Sequence, residues 1–211
     1  MNAALTSADA AALKQCVGAG GVAVFPTDTV YGLCCDPDDE RAARHLYELK
    51  GRPSARASAV MFFALDHALA ALGELPDAER LALEVLLPGP LTLLLTNRSQ
   101  LFAAACRRDR MTLGLRVPRL PPQLGTLGEI DCPVMQSSAN LSGAPDARSL
   151  EEIPQSLLDG ADLVLDGGDL PGTPSTVVDL RDFHSERRFH VLREGALPRE
   201  SVQQMLTPLR Q

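Results

Sequence analysis

No apolar run in this chain of 211 residues approaches the roughly 18 residues that a membrane helix needs, so a membrane span is not expected. Residues 1–13 lack a basic n-region and contain Asp9, which argues against a signal peptide and makes the cytoplasm the default location. No C-x-x-C spacing occurs among Cys16, Cys34, Cys35, Cys106 and Cys132. The odd count suggests neither a disulfide framework nor a zinc site. His45, His67, His184 and His190 are scattered, with no pair at helical metal-ligand spacing, so no metal site is expected. There is no G-x-x-x-x-G-K-[ST] and no G-x-S-x-G. Gly18, Gly20 and Gly21 precede an apolar run instead of following one, which excludes the dinucleotide fingerprint. Any chemistry here must rest on positioning and charge stabilisation more than on a protein nucleophile.

Lysine is nearly missing as well. The 20 basic residues are Lys14, Lys50 and 18 arginines. A compositional bias explains this without function. The sharper reading is that Lys50 stays lysine because a compact ammonium is needed there, which a planar guanidinium does not replace. The net charge of −7 argues against nonspecific coating of nucleic acid, since that affinity comes from neutralising phosphates. A local basic cleft remains compatible with it.

What is present describes one α/β domain over residues 1–211, with 45% apolar and 22% charged residues and no repeat or linker. A first helix is expected over 7–17, with Ser7 as N-cap and Gly18 as stop. Strands are expected at 22–25, 33–35, 58–65, 91–96, 112–117, 133–136, 162–165, 176–180 and 189–192. Asp38 or Asp39 caps a second helix whose Ala42, Ala43, Leu46 and Leu49 form an apolar stripe ending at Lys50-Gly51. Further helices are expected over 76–87, from the capping-box pattern Ser149-x-x-Glu152 to about 158, and from Pro198 to 206. Helices alternate with strands early and strands cluster late, which points to an open mixed sheet with helices packed on it.

Polar clusters stand at the ends of these elements. Thr27-Asp28-Thr29-Val30-Tyr31-Gly32-Leu33 follows the first strand, where open α/β sheets bind ligands. Lys50, Arg52 and Arg56 place three cations within seven residues. They either complement a helix C-terminus or form an anion site, in which arginine supplies a fork and lysine a point charge. Gln136-Ser137-Ser138-Ala139-Asn140-Leu141-Ser142-Gly143 offers hydroxyls and amides after a strand, as turn chemistry or as a phosphate cradle. Arg116 lies in an otherwise apolar strand and must reach a protein carboxylate or a bound anion. Ser175-Thr176 precedes a strand. Arg193-Glu194-Gly195 follows one, with a surface Arg–Glu pair as the duller option.

These segments resemble, in order, the motifs of the YrdC/TsaC family, the threonylcarbamoyl-AMP synthases. They are Pro26-Thr27-Asp28-Thr29-Val30-Tyr31-Gly32-Leu33, Lys50-Gly51-Arg52-Pro53, Pro88-Gly89-Pro90-Leu91-Thr92 and Leu115-Arg116-Val117-Pro118. Ser138-Ala139-Asn140-Leu141-Ser142-Gly143, Ser175-Thr176-Val177-Val178-Asp179 and Arg193-Glu194-Gly195 complete the series, which runs from about residue 8 to residue 206. The resemblance implies a twisted open mixed sheet with a cationic concave face. It further implies a reaction joining L-threonine, bicarbonate and ATP into threonylcarbamoyl-adenylate and pyrophosphate, with magnesium riding on ATP.

By the same resemblance Lys50 and Arg52 would be catalytic, stabilising charge on the phosphates and the attacking carbamate. Arg56, Thr112, Ser138, Asn140 and Arg193 would join them around the nucleotide. Thr29, Arg116, Ser137 and Ser175 would hold threonine, with Arg116 facing its carboxylate. The product would pass toward the proteins that modify tRNA, with no stable nucleic acid and no membrane as partner. The chain departs from the family where Arg56-Ala57-Ser58 replaces a Lys or Asn followed by Pro-Leu. It resembles the form without a second C-terminal domain. The alternatives are a paralogue that keeps the cleft without the reaction, and an RNA-binding module whose affinity would collapse with salt.

Overall fold

Leu91, Leu93 and Leu95 are buried while Thr92, Leu94 and Thr96 are only partly so. Side chains alternate across a strand, so one face of this segment enters the core and the other is left open. In the computed structural model, which describes residues 4–51 and 57–210, nine strands of the described residues form one sheet. They are β1 (Ala23–Phe25), β2 (Gly32–Cys35), β3 (Ala59–Met61), β4 (Leu91–Thr96), β5 (Thr112–Arg116), β6 (Val134–Ser138), β7 (Leu163–Val164), β8 (Thr176–Asp179) and β9 (His190–Arg193). Their order is β7-β1-β2-β6-β3-β5-β4-β8-β9. The pairs β1–β7, β3–β5 and β4–β8 are parallel and the others antiparallel, an open mixed sheet.

Helices α1 (Ser7–Gly18), α2 (Glu40–Leu49), α3 (Leu65–Leu72), α4 (Asp77–Leu86), α5 (Ala103–Cys106), α6 (Gln155–Gly160), α7 (Phe183–Glu186) and α8 (Arg199–Leu206) flank it. Tyr31, Tyr47, Phe25, Phe62 and Phe183 are the bulkiest side chains of the core. No helix of the described residues is long and apolar enough to cross a membrane.

Most expected elements stand where the pattern puts them, with five instructive shifts. Thr6, not Ser7, caps α1. Its hydroxyl accepts from the Asp9 N–H while the Asp9 carboxylate accepts from the Thr6 N–H, and Ser7 turns instead to Glu129. The expected strand 58–65 stops at Met61, and Leu65 opens α3, because a short apolar run does not distinguish strand from helix. The Ser149-x-x-Glu152 box does not close. The Glu152 carboxylate accepts from Arg148 instead, and the prolyl ring of Pro154 starts the helix only at Gln155. Strand β6 runs on through Ser137 and Ser138, so the first two serines of the expected loop are sheet residues. Finally, β1 and β2 pair antiparallel, so the Thr27–Thr29 segment is a hairpin loop and not the carboxyl-end crevice of a parallel sheet.

Candidate active site

The hairpin loop of residues 26–31 is built around Thr27. Its hydroxyl donates to the Val30 carbonyl at 2.7 Å and accepts from the Thr29 and Val30 N–H groups at 3.2 and 3.3 Å. A side chain that satisfies its own turn fixes the turn's shape, and here the shape turns Asp28 and Thr29 toward β5. Arg116, the last residue of β5, is 3% exposed. Its Nη2 donates to Asp28 Oδ1 at 3.0 Å and Thr29 Oγ1 at 3.1 Å, and its Nη1 donates to Gln136 Oε1 at 3.0 Å. The buried arginine thus reaches a protein carboxylate. Its Nε–H has no partner among the described residues, so one buried donor is left over.

Burial dominates the electrostatics of this pair. It pulls the Arg116 guanidinium below its ordinary value, with the charge of Arg193 acting in the same direction and Asp28 opposing. It pushes the Asp28 carboxyl above its ordinary value, against the pull of Arg116 and of the Arg119 N–H that donates to Oδ2 at 3.0 Å. Gly32 leaves room beside Gln136: a Cβ there would stand 2.8 Å from Gln136 Nε2 and 3.0 Å from Phe25 Cε1.

Lys50 closes the C-terminus of α2 and is 3% exposed. Its ammonium donates to the Ser138 carbonyl, to the Asn140 carbonyl at 2.8 Å and to Asn140 Oδ1 at 2.9 Å. The Ser138 hydroxyl donates to the same Asn140 Oδ1 at 2.7 Å. Lys50, Ser138 and Asn140 therefore form one cluster at the exit of β6, with a positive charge buried under a turn of backbone carbonyls.

Beside this cluster lies a cleft of about 220 Å³. It is lined by the polar side chains of Arg116, Gln136, Ser137, Ser138, Ser175 and Arg193, with Thr92, Asp146, Val177 and smaller residues among the rest of its lining. Arg193, at the end of β9, donates from Nε and Nη2 to the Ser175 carbonyl at 3.2 and 2.8 Å and from Nη2 to Ser175 Oγ at 3.3 Å. Gly195 lets that chain segment close on its neighbour: its Cβ would fall 2.2 Å from the Pro174 carbonyl oxygen. Hollows of about 380 Å³ beside β9 and α8 and about 460 Å³ beside α1 are lined by none of the expected site residues.

Of the residues expected from sequence, Arg116, Ser137, Ser138, Ser175 and Arg193 meet in the cleft. Thr29 joins through Arg116, and Lys50 and Asn140 join through Ser138. Thr112 does not line it. It sits at the far end of β5, on the same face as Arg116, where its hydroxyl accepts from Arg181 at 3.2 Å. Arg52 and Arg56 lie outside the described residues. Sequence reasoning left Asp28, Gln136, Thr92 and Asp146 without roles. Asp28 was legible, since a buried arginine demands a carboxylate and this one stood in a segment already singled out.

A profile of the Sua5_yciO_yrdC family, described as telomere recombination, matches residues 15–195. The chain belongs to the Sua5/YciO/YrdC family. It is similar to a threonylcarbamoyl-AMP synthase of Pyrococcus abyssi (29% identity over 192 residues, 90% of this chain and 55% of that protein). It is also similar to a threonylcarbamoyl-AMP synthase of Marinobacter nauticus (30% identity over 169 residues, 79% of this chain and 88% of that protein). Among solved structures, P. abyssi Sua5 complexed with L-threonine superposes with a TM-score of 0.81 at 27% identity, over 95% of this chain and 58% of the other. The chain thus spans about half the length of the Pyrococcus synthase.

Proposed function

We propose that this chain makes L-threonylcarbamoyladenylate from L-threonine, bicarbonate and ATP, releasing pyrophosphate, in the cytoplasm and for tRNA modification. The observation that carries the proposal is the meeting of Arg116, Ser137, Ser175 and Arg193, from separate elements, in one small cleft. At about 220 Å³ the cleft suits a small amino acid, since sites for drug-sized ligands start near 300 Å³. The relative bound to L-threonine supports the same substrate.

In this reading Arg116, Thr29, Ser137 and Ser175 hold threonine, its carboxylate taking up the donor capacity that Arg116 keeps at Nε. The amine adds to carbon dioxide derived from bicarbonate and loses a proton, giving a carbamate. A carbamate oxygen then attacks the α-phosphorus of ATP, and the bond to the β-phosphate oxygen breaks. Lys50 and Arg52 oppose the charge that accumulates on the carbamate and phosphates, and Arg56, Thr112, Ser138, Asn140 and Arg193 hold the nucleotide. Such a reaction is accelerated by positioning and electrostatics, without a protein nucleophile. Magnesium would arrive bound to the triphosphate, as is usual for phosphoryl-transfer sites, and would neutralise its charge.

The test is pyrophosphate release from ATP with threonine and bicarbonate supplied together and singly, with mass spectrometry of the product. Release only when both are present, with the adenylate's mass, is the expected result. Release that ignores threonine would reject the proposal.

A further inference from the structure

Thr92 lines the cleft and has no role in the scheme above. Its place is set by the sheet: it lies on the open face of β4, paired in register with Val177 of β8, which pairs in turn with Arg193 of β9. Thr92, Val177 and Arg193 therefore form a row across three strands, and all three face the cleft. Thr92 Oγ1 is 2.8 Å from Ser175 Oγ. The same Ser175 oxygen receives Arg193 Nη2 at 3.3 Å.

A serine oxygen has two lone pairs and one proton, whereas a guanidinium only donates. Arg193 fills one lone pair of Ser175. If Thr92 donates as well, both are filled, and the Ser175 proton is left to point at whatever occupies the cleft. An aliphatic side chain at position 92 would remove that constraint and let Ser175 face the ligand as an acceptor.

We propose that Thr92 is a positioning residue: it completes an Arg193–Ser175–Thr92 hydrogen-bond chain that holds Ser175 as a donor to an acceptor oxygen of the amino-acid substrate. This rests on the assignment of the cleft to threonine. The residue acts through Ser175 and need not touch the substrate itself.

Threonine-dependent pyrophosphate release by the wild type, Thr92→Val and Thr92→Ser tests it. Valine matches the shape of threonine and lacks the hydroxyl; serine keeps the hydroxyl and loses a methyl. Thr92→Val is expected to raise the KM for threonine roughly three- to tenfold, the worth of one neutral hydrogen bond. Its kcat, its KM for ATP and its melting temperature should hold, the pattern of lost uniform binding. Thr92→Ser should stay within about twofold of the wild type, because its hydroxyl can still donate. An unchanged threonine KM in Thr92→Val would overturn the proposal, and so would a Thr92→Ser variant as impaired as Thr92→Val. A wild type that turns over ATP without any dependence on threonine would instead remove the substrate assignment, and this inference with it.

Discussion

Replacing Lys50 by methionine separates what this residue does for the fold from what it does for chemistry. The side chain is 3% exposed, and its ammonium meets two carbonyls and one amide oxygen, all from the turn that ends β6. Hydrogen bonds to a charged group contribute about 1.5–3 kcal/mol each, so three supply roughly 4–9 kcal/mol. Against this stands the cost of burying an ammonium, several kcal/mol. Methionine has nearly the same length and removes both terms, but it leaves the Ser138 and Asn140 carbonyls facing a thioether that cannot donate. The net loss is expected at about 2–4 kcal/mol. For a domain of this size each kcal/mol moves the melting temperature by roughly 2–4 °C, so the midpoint should fall by about 4–16 °C. Thermal unfolding and pyrophosphate release are measured on the same preparation. A variant that melts with the wild type while losing turnover would refute the reasoning and make Lys50 a purely chemical group.

The Arg116–Asp28 pair predicts an unusual pH response. Arg116→Met strands a carboxyl that burial already pushes above its ordinary value, and a group raised in the folded state adds stability below its unfolded value that is lost as pH rises through the folded one. The urea midpoint of Arg116→Met, relative to the wild type, should therefore improve as pH falls from 7 toward about 4, and a constant deficit would count against the assignment. Gly195→Ala places a Cβ 2.2 Å from the Pro174 oxygen and 2.7 Å from the Ser175 carbonyl carbon, both backbone; overpacking of this kind costs about 1–3 kcal/mol, and the KM for threonine should rise with it as Ser175 shifts. Burial pushes the Tyr31 phenol up to about 12, against the Gly167 N–H that donates to its oxygen. Its share of stability is present below pH 10 and lost between pH 10 and 12, so that alkaline slope should be shallower in Tyr31→Phe, as read by unfolding at each pH.

How much of this was legible before the structure depends on the kind of signal each residue gives. β4 falls where alternating leucines put it, and β5 ends one residue early at Arg116, because an alternating apolar pattern fits a strand and little else. Arg116 was readable for a different reason: an arginine in an apolar strand requires a charge partner, whichever side supplies it. The sequence alone could not choose between a protein carboxylate and a ligand, since that choice depends on a hairpin loop 88 residues away from Arg116. The failures have separate causes. Phe62 to Leu65 read as strand because an apolar run carries no period until it is long enough, and Ser137 and Ser138 read as loop because serine favours turns in general.

The Lys50 cluster shows the limit more sharply, and it shapes how the site should be understood. Composition marked Lys50 as special, and the expected role was to meet an incoming phosphate. In the structure its ammonium donates to three oxygens of Ser138 and Asn140, enough to engage its three protons. A lysine held this way can act on a nucleotide at a distance through its charge, without giving up any hydrogen bond. It can also act by direct contact, but then the turn must release it. The two cases differ in consequence. Charge acting at a distance survives replacement of the Asn140 amide by an aspartate poorly, because the added carboxylate cancels it, whereas Asn140→Ala would leave it intact. Direct contact would be eased by Asn140→Ala, which removes a competing acceptor, so Lys50→Met would cost more ATP affinity on the Asn140→Ala background than in the wild type, whereas charge acting at a distance would cost the same on both.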